Sequence, residues 1–219
     1  YSAMMGLQII VEAQDVAGFL ADYDDVTRMN LVKALNKTAD RARTLSAAEV
    51  RNQVNFSASY VGPGQGRLKV SARANRQSLE AVVTGRNRPT SLARFVVGAP
   101  PVSGQRTKGG RLRTPKGGQI TVEVKPGRRA TLSRAFLVNI PGAAESKNLG
   151  LAVRTDGPPP PGAYAPKQLG ENVWLLYGPS VGQVLSSVNN AGGVYEEISA
   201  ETMQFLQDEF LRLQTLSER

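Results

Sequence analysis

The stretch Gln119–Ile140, QITVEVKPGRRATLSRAFLVNI, constrains the fold more than any other part of the chain. Apolar and polar residues alternate from Ile120 to Val124, which is the period of a half-buried strand. Turn residues then interrupt the run at Lys125–Arg129, and a second apolar run begins at Leu132. The sequence therefore predicts two adjacent strands that hold out a sharp basic turn.

Charge is concentrated around this stretch. The chain of 219 residues has a net charge of +9, but residues 51–134 alone hold seventeen Lys and Arg against two Asp and Glu, a net charge of +15. Such a concentration indicates a polyanionic or acidic partner. The chain contains no histidine and no cysteine, which removes the commonest general base, the Ser-His and Cys-His nucleophile pairs and cysteine-based zinc sites.

A long helix is predicted from Val26 to about Gln53, because no proline or glycine interrupts the segment and Asp24 or Asp25 can cap its start. We interpret it as an amphipathic helix that lies across a sheet, in preference to a coiled coil or a DNA-reading helix. Its predicted apolar stripe, with spacings of three and four, comprises Val26, Met29, Val32, Leu35, Ala39, Ala42, Leu45 and Ala48.

The remaining elements are short strands followed by two helices. Strand-like runs are found at 67–73, 78–85, 149–155 and 173–177, and an apolar run resumes at 92–97. A short helix is predicted over 181–188 and a final helix from Tyr195 to about Leu216. The predicted apolar stripe of that helix is Ile198, Met203, Leu206, Phe210, Leu213 and Leu216. This order predicts a single α+β domain over 1–219, with an antiparallel sheet packed by a long N-terminal and a C-terminal helix.

Residues 98–118 are rich in glycine, proline and basic residues and contain no acid. They are predicted to form a flexible basic arm or extended hairpin, because they cannot bury an apolar face. Residues 156–166 are predicted to be a stiff proline-rich connector. The candidate contact residues of the arm and the turn are Arg106, Lys108, Arg111, Arg113, Lys116, Lys125, Arg128 and Arg129. No aromatic residue lies among 98–129, so the pattern predicts contact with a nucleic-acid backbone without base reading, or contact with an acidic protein.

The carboxylate clusters offer little for catalysis. Asp22, Asp24 and Asp25 lack the spacing of an EF-hand, and Glu196 and Glu197 adjoin the start of a predicted helix. Helix capping and solvation explain both clusters better than acid–base work or metal binding. A carboxylate-dependent nuclease would have to use the three aspartates.

Two further motifs lack the neighbouring or partner residues that catalysis or nucleotide binding requires. Ser180 has no histidine to activate it. The glycine-rich segment Tyr60–Gly66 is followed by no Gly-Lys-Ser/Thr, so a connector is favoured over a phosphate cradle. We expect no catalytic site, no cofactor and no metal. No apolar run reaches the roughly 20 residues of a membrane span and no basic leader is visible, so we expect a protein made and used in a cytoplasm.

Three stretches together resemble the minor tail protein Z (tail completion protein) family of tailed bacteriophages. Lys33–Thr44 is similar to its N-terminal helix. Gly118–Lys125 with Ser133–Leu137 resembles its strand, basic turn and Arg-Ala-Phe element, and Leu175–Val181 resembles its LYGPSV motif. The arm before Gln119 and the tetraproline at 158–161 depart from the family pattern.

The resemblance implies a structural virion protein, assembled in the host cytoplasm and located near the head–tail junction of the virion tail. It implies copies around the tail axis that complete the head-proximal end of the tail, take part in head–tail joining and position the DNA end. Its implied partners are the tail terminator, tail tube, head–tail connector or portal proteins and genomic DNA without sequence specificity. The implied scaffold or interface residues are Arg134, Phe136, Tyr177, Gly178, Pro179 and Ser180. Alternative interpretations are a free sequence-neutral nucleic-acid-binding protein and an adaptor of a short-tailed phage.

Overall fold

The protein is α+β, as the sequence predicts, with helices and antiparallel sheets in separate parts of the chain. The computed structural model describes residues 8–12, 24–98, 118–140, 149–158, 160, 165–190 and 194–218, and it leaves out the side chains of 8–12, 187–190 and 194–197. Contacts divide the chain into two compact units. Unit 1 comprises 1–51, 57–87 and 181–219, and unit 2 comprises 52–56 and 88–180. The predicted single domain over 1–219 stays a prediction.

In the part of the chain that the structure describes, unit 1 combines a small sheet with three α-helices. In chain order its elements are β1 (Gln8–Glu12), α1 (Asp25–Gln53), β2 (Leu68–Ala72), β3 (Glu80–Gly85), α2 (Val181–Asn190) and α3 (Val194–Ser217). The sheet order is β1-β3-β2, and both pairings are antiparallel. The central strand β3 buries Ala81 and Val83 completely, so this strand anchors the core of the unit.

Helix α1 begins where the sequence predicts. Asp24 Oδ1 accepts a hydrogen bond of 2.8 Å from the Thr27 amide, which satisfies one of the donors that the first helical turn leaves open. The same hydrogen bond lowers the pKa of Asp24. The predicted apolar stripe is wrong at its ends, because Val26 is 50% exposed and Ala48 is exposed. The face that is buried contains small residues instead, including Ala34, Thr38 and Ser46.

Helix α3 runs antiparallel to α1, since Asn30 donates to the Leu213 carbonyl while Lys37, further along α1, pairs with Glu209. The predicted stripe of α3 is partly wrong. Met203 is 49% and Leu216 is 54% exposed, whereas Leu206 is buried as expected. Two polar residues, Thr202 and Glu209, are buried on this helix. Polar contacts with α1 and within α3 therefore replace part of the expected apolar contact.

Unit 2 contains a sheet in which every pairing among the described strands is antiparallel. Its strands are β4 (Thr90–Ser91), β5 (Gly118–Lys125), β6 (Arg128–Asn139), β7 (Leu149–Arg154), β8 (Lys167–Gly170) and β9 (Val173–Gly178). The order is β4-β9-β7-β6-β5, and β8 also pairs with β9. One hydrophobic cluster of buried residues on these strands comprises Phe136, Val138, Ala152, Val173 and Leu175. Strands β5, β7 and β9 follow the predicted runs closely, and β6 begins at Arg128, before the predicted run at Leu132, whereas β1, β4 and β8 are not among the predicted strands.

Two local features of the structure are not predicted by the sequence. The predicted strand over 78–85 begins only at Glu80, because Asn75 Oδ1 accepts hydrogen bonds from the Gln77 and Ser78 amides and holds a turn there. The apolar run at 92–97, for which the sequence predicts no type of element, begins as a 3₁₀ helix, Leu92–Phe95. That turn directs Phe95 into the core, where its ring centroid lies 5.5 Å from that of Phe56.

Two predicted segments fall largely outside the described residues. Of the arm at 98–118, only Gly98 and Gly118 are described, and Gly118 is the first residue of β5. Of the connector at 156–166, residues 156–158, 160, 165 and 166 are described.

Candidate functional site

The basic turn lies at the end of a two-stranded hairpin. Lys125 of β5 pairs directly with Arg128 of β6, which leaves Pro126 and Gly127 as the two connecting residues. Proline fixes its own φ near −65°, and Gly127 has a φ of +73°, a left-handed conformation that glycine adopts without steric cost. The sequence Lys-Pro-Gly-Arg therefore folds as a tight turn for local reasons, and the two flanking cations become cross-strand neighbours.

A single carboxylate, Glu123, fixes the turn from inside the hairpin. Its Oε1 accepts a hydrogen bond of 3.1 Å from the Gly127 amide, and its Oε2 accepts one of 2.8 Å from Arg129 Nε. The hydrogen bond from Arg129, followed by that from Gly127, lowers the pKa of Glu123. Arg129 is thus partly neutralised, and its role at the turn is to hold geometry as much as to offer charge.

The other two predicted contact residues of the turn have no such carboxylate. Lys125 and Arg128 are both exposed, and within the described part of the chain neither side chain forms an ion pair. Their backbones are directly paired across the strands, an arrangement of like charges that is unfavourable without a counter-charge. The tip of the hairpin therefore exposes two adjacent cations.

The hairpin is held on its outer edge by the chain before β5. The Asn55 amide donates to the Val124 carbonyl at 2.8 Å, and the Val97 amide donates to the Thr121 carbonyl at 2.9 Å. On the inner face, Ile120 and Val122 of β5 are buried. These contacts cover part of an edge that would otherwise be open for pairing, and they fix the direction in which the tip points within unit 2.

The base of the hairpin contains a β-bulge at Arg134. Two residues, Ser133 and Arg134, stand opposite Gln119, and Arg134 has a φ of +54°, which is uncommon for a residue other than glycine. Its guanidinium group pairs with Asp156 just after β7, and both side chains are substantially exposed. After the bulge, the four consecutive residues of β6 from Ala135 to Val138 are all buried, so both faces of the strand are covered there.

The LYGPSV stretch begins in β9 of the same sheet and continues beyond the end of that strand. Gly178 pairs with Thr90, and a Cβ atom at Gly178 would lie 2.9 Å from Cε2 of Phe95. Tyr177 packs against the core cluster, and Ser180 is completely buried. Pro179 is half-buried. Gly178 therefore packs so closely against Phe95 that no side chain fits at its position.

The structure does not bring all the predicted contact residues into one described surface. Lys125, Arg128 and Arg129 lie together at the hairpin tip, whereas the five residues of the arm lie outside the described residues. Those five are Arg106, Lys108, Arg111, Arg113 and Lys116. Sequence reasoning overlooked Glu123 and Asn55. The only available signal for Glu123 was its place four residues before Gly127, and Asn55 contacts β5 from far away in the chain.

The carboxylate clusters take structural positions where they are described. Asp24 caps α1, and Asp25, with 80% of its side chain exposed, lies 3.9 Å from Arg76. Asp22 and the side chains of Glu196 and Glu197 lie outside what the structure describes. Among the described residues, no group of three or more acidic, histidine or cysteine side chains could hold a metal ion. The described helices include none that is long and apolar enough to cross a membrane.

Comparisons with protein-family models, with curated proteins and with solved structures found no match to this chain. The resemblance to the tail completion family therefore stays a prediction based on the three sequence stretches described above.

Proposed function

We propose that this chain is a structural virion protein that completes the head-proximal end of a bacteriophage tail and takes part in head–tail joining and positioning of the DNA end. The observation that carries the proposal is the pair of exposed cations, Lys125 and Arg128, at the tip of a hairpin whose turn and outer edge are fixed. The role is one of packing and charge contact rather than catalysis.

The geometry of the tip supports contact with a nucleic-acid backbone. Lysine and arginine neutralise phosphates and release counterions, and this contribution does not depend on base sequence. The turn from Lys125 to Arg129 contains no aromatic residue on which a base could stack. Since Glu123 fixes the turn, the protein backbone at the tip loses little conformational freedom when a nucleic acid binds, and the cost that remains is the ordering of the two long side chains.

An acidic neighbouring subunit could occupy the same tip, because carboxylates form the same kind of charge-assisted hydrogen bonds as phosphates. In a tail assembly both partners are available, since copies of the protein around the tail axis would touch terminator, tail tube and connector or portal proteins as well as DNA. The resemblance of Leu175–Val181 and of the hairpin to the tail completion family supports this setting over a free nucleic-acid-binding protein or a short-tailed phage adaptor.

The test is complementation of phage particles that lack this chain. Charge reversal of both tip cations, K125E with R128E, is expected to reduce head–tail joining or DNA retention sharply while the circular dichroism spectrum and melting temperature stay near those of the parent chain. The matched control reverses Arg88 and Lys167, two exposed cations elsewhere in unit 2, and should complement fully. Normal joining and infectivity of particles that lack the chain altogether would refute the virion function.

A second measurement separates the alternative function. The purified chain is mixed with a DNA duplex over a range of salt concentrations. The DNA affinity of a free nucleic-acid-binding protein should fall steeply as the salt concentration rises. The double variant K125Q with R128Q should reduce the magnitude of the slope of log K against log salt by roughly 2. No binding at low salt would remove that alternative and leave the role in assembly, through acidic neighbours, in place.

A further inference from the structure

A second cluster of cations lies in unit 1, around Tyr60 at the start of the glycine-rich segment Tyr60–Gly66. Three half-buried arginines from different elements have contacts there: Arg67, just before β2, and Arg86, just after β3, contact the Tyr60 side chain, and Arg43 of α1 contacts the carbonyl of the next residue, Val61. The Cζ atom of Arg67 lies 4.1 Å from the centroid of the Tyr60 ring, and Arg86 Nη2 donates to the Tyr60 hydroxyl at 3.2 Å. One tyrosine side chain therefore contacts two guanidinium groups.

The sheet forces two of these arginines together. Strands β2 and β3 pair in antiparallel register with Leu68 opposite Gly85, and the Arg86 amide extends the ladder by donating to the Arg67 carbonyl at 2.7 Å. Like charges in directly opposite positions of an antiparallel pair destabilise it unless another group compensates them. The electron-rich face of Tyr60 attracts the guanidinium group of Arg67, and a ring attracts a cation more weakly than an anion does.

The third arginine fastens the glycine-rich segment beside them. Arg43 Nη2 donates to the Val61 carbonyl at 2.7 Å, and its Nε donates to the Leu68 carbonyl at 3.2 Å. Both ends of the segment are therefore held by a cation from α1. These acceptors are uncharged, as is the Tyr60 hydroxyl that Arg86 contacts, so the hydrogen bonds leave the positive charges of Arg43 and Arg86 in place.

The environment makes that charge costly. Within the described residues, neither Arg43 nor Arg86 forms an ion pair, and the Nε atom of Arg86 is buried without a hydrogen-bond partner. A partly desolvated cation of this kind is stabilised by an anion placed beside it, even one that does not touch Nε. Two glycines of the segment, Gly64 and Gly66, have open space where a Cβ would be, which leaves their backbone accessible to a ligand.

We propose that this arginine cluster is a binding site for a phosphate group. Arginine forks match the oxygens of phosphate with paired hydrogen bonds, and a phosphate offers enough oxygens to face several forks at once, whereas a carboxylate offers two. The same chemistry is present in free phosphate and in the phosphodiester of a nucleic acid. The inference does not rest on the proposed virion function, because the cluster is built from residues of unit 1 and shares no residue with the hairpin tip.

The experiment titrates the full chain with inorganic phosphate at constant ionic strength, with chloride as the comparison salt, and follows backbone amide shifts by NMR. We expect the amides of 60–68 to shift with phosphate and not with chloride. In R86Q the affinity should fall about tenfold or more, since a hydrogen bond to a charged group contributes at least that factor. Tyr60→Phe, which removes the hydroxyl contact but keeps all three charges, should retain most of the binding.

The matched control is R73Q, which removes the same charge from an exposed arginine of unit 1 that is already paired with Asp40, and it should bind phosphate like the parent chain. Should R86Q fail to fold, R86K keeps the charge but not the fork and should bind with an intermediate affinity. The absence of a phosphate-specific shift, or an equal loss in R86Q and R73Q, would overturn the proposal.

A second arm distinguishes the two sources of the phosphate group. A short DNA oligonucleotide is titrated into the parent chain and into R86Q. If the nucleic-acid backbone is the source, R86Q weakens oligonucleotide binding and inorganic phosphate competes with it. If oligonucleotide binding does not depend on Arg86 while phosphate binding does, the site takes free phosphate. Both results support the site, and failure of both ligands to depend on Arg86 refutes it.

Discussion

Charged residues are used in opposite ways at the α1–α3 contact of unit 1 and at the hairpin tip of unit 2. At the helix contact, the buried carboxylate of Glu209 receives hydrogen bonds from Lys37 at 2.9 Å and from Arg212 at 2.6 Å. At the tip, Lys125 and Arg128 have only each other as cross-strand neighbours. The difference indicates that the charges of the first region stabilise the fold, whereas those of the second are available for a partner.

The largest effect on stability is expected from Glu209→Gln. The hydrogen bonds from Arg212 and Lys37 hold the pKa of Glu209 at about 2, so the ionised form is the one that the fold requires. Since hydrogen bonds to charged groups contribute about 1.5–3 kcal/mol each and a neutral amide retains part of them, we expect a loss of about 1–3 kcal/mol in the free energy of unfolding, measured by urea denaturation.

The control for this variant is Asp208→Asn on the same helix. Asp208 is exposed and accepts a hydrogen bond only from Gln204 among the contacts of its side chain that the structure describes. D208N removes the same single charge as E209Q, so the two variants have the same net charge. If D208N and E209Q were equally stable, net charge and not the paired carboxylate would explain the loss.

The stability of the fold should depend on pH through Glu209 at the α1–α3 contact. The pKa of Glu209 in the folded chain, about 2, lies below the value of about 4.3 in an unfolded chain. Below about pH 5 the unfolded chain therefore binds more protons, and the contribution of Glu209, complete at neutral pH, is lost as the pH falls towards 2. Thermal melts between those limits should show a weaker acid loss in E209Q than in the parent chain. Parallel curves for the two proteins would contradict this assignment.

Much of the fold could be predicted from local sequence. The long helix follows from an uninterrupted run after an aspartate cap, and the hairpin follows from period-two alternation around Pro126-Gly127. The buried face of α1 could not be predicted in the same way. Alanine, serine and threonine become core residues there only because other elements approach the helix closely, and no local pattern contains that information.

The candidate site could be predicted only in part, because some of its contacts also depend on tertiary structure. Lys125, Arg128 and Arg129 follow from the turn itself. Among the described side chains, Arg129 is ion-paired and Lys125 and Arg128 are not, and this difference depends on Glu123. The register shift between Val122 and Lys125 places Glu123 next to Arg129. The arginine cluster around Tyr60 is formed by three elements that are distant in sequence. The glycine-rich segment alone therefore predicts a connector, because its own sequence does not show which cations contact it.

A smaller effect is expected from Glu123→Gln, which tests whether the carboxylate fixes the tip. The variant should lower the melting temperature slightly, because the Arg129 side chain is 66% exposed and ion pairs with an exposed partner contribute little to stability. Its clearer result should be faster amide hydrogen exchange at Gly127, whose N–H donates to Glu123 in the parent chain. Exchange at Val97, which donates to the Thr121 carbonyl, serves as the internal control and should not change.

The smallest effect on stability is expected from neutralising the tip itself, with K125Q and R128Q together. Neither side chain is buried or ion-paired among the described residues, so the free energy of unfolding should stay within about 0.5 kcal/mol of the parent value. It should rise slightly rather than fall, because the repulsion between two directly opposite cations is removed. Urea denaturation at low salt measures the change, and added salt should reduce it by screening the same repulsion. A loss as large as that of E209Q would mean that the tip cations support the fold, and the contrast between the two regions would then be wrong.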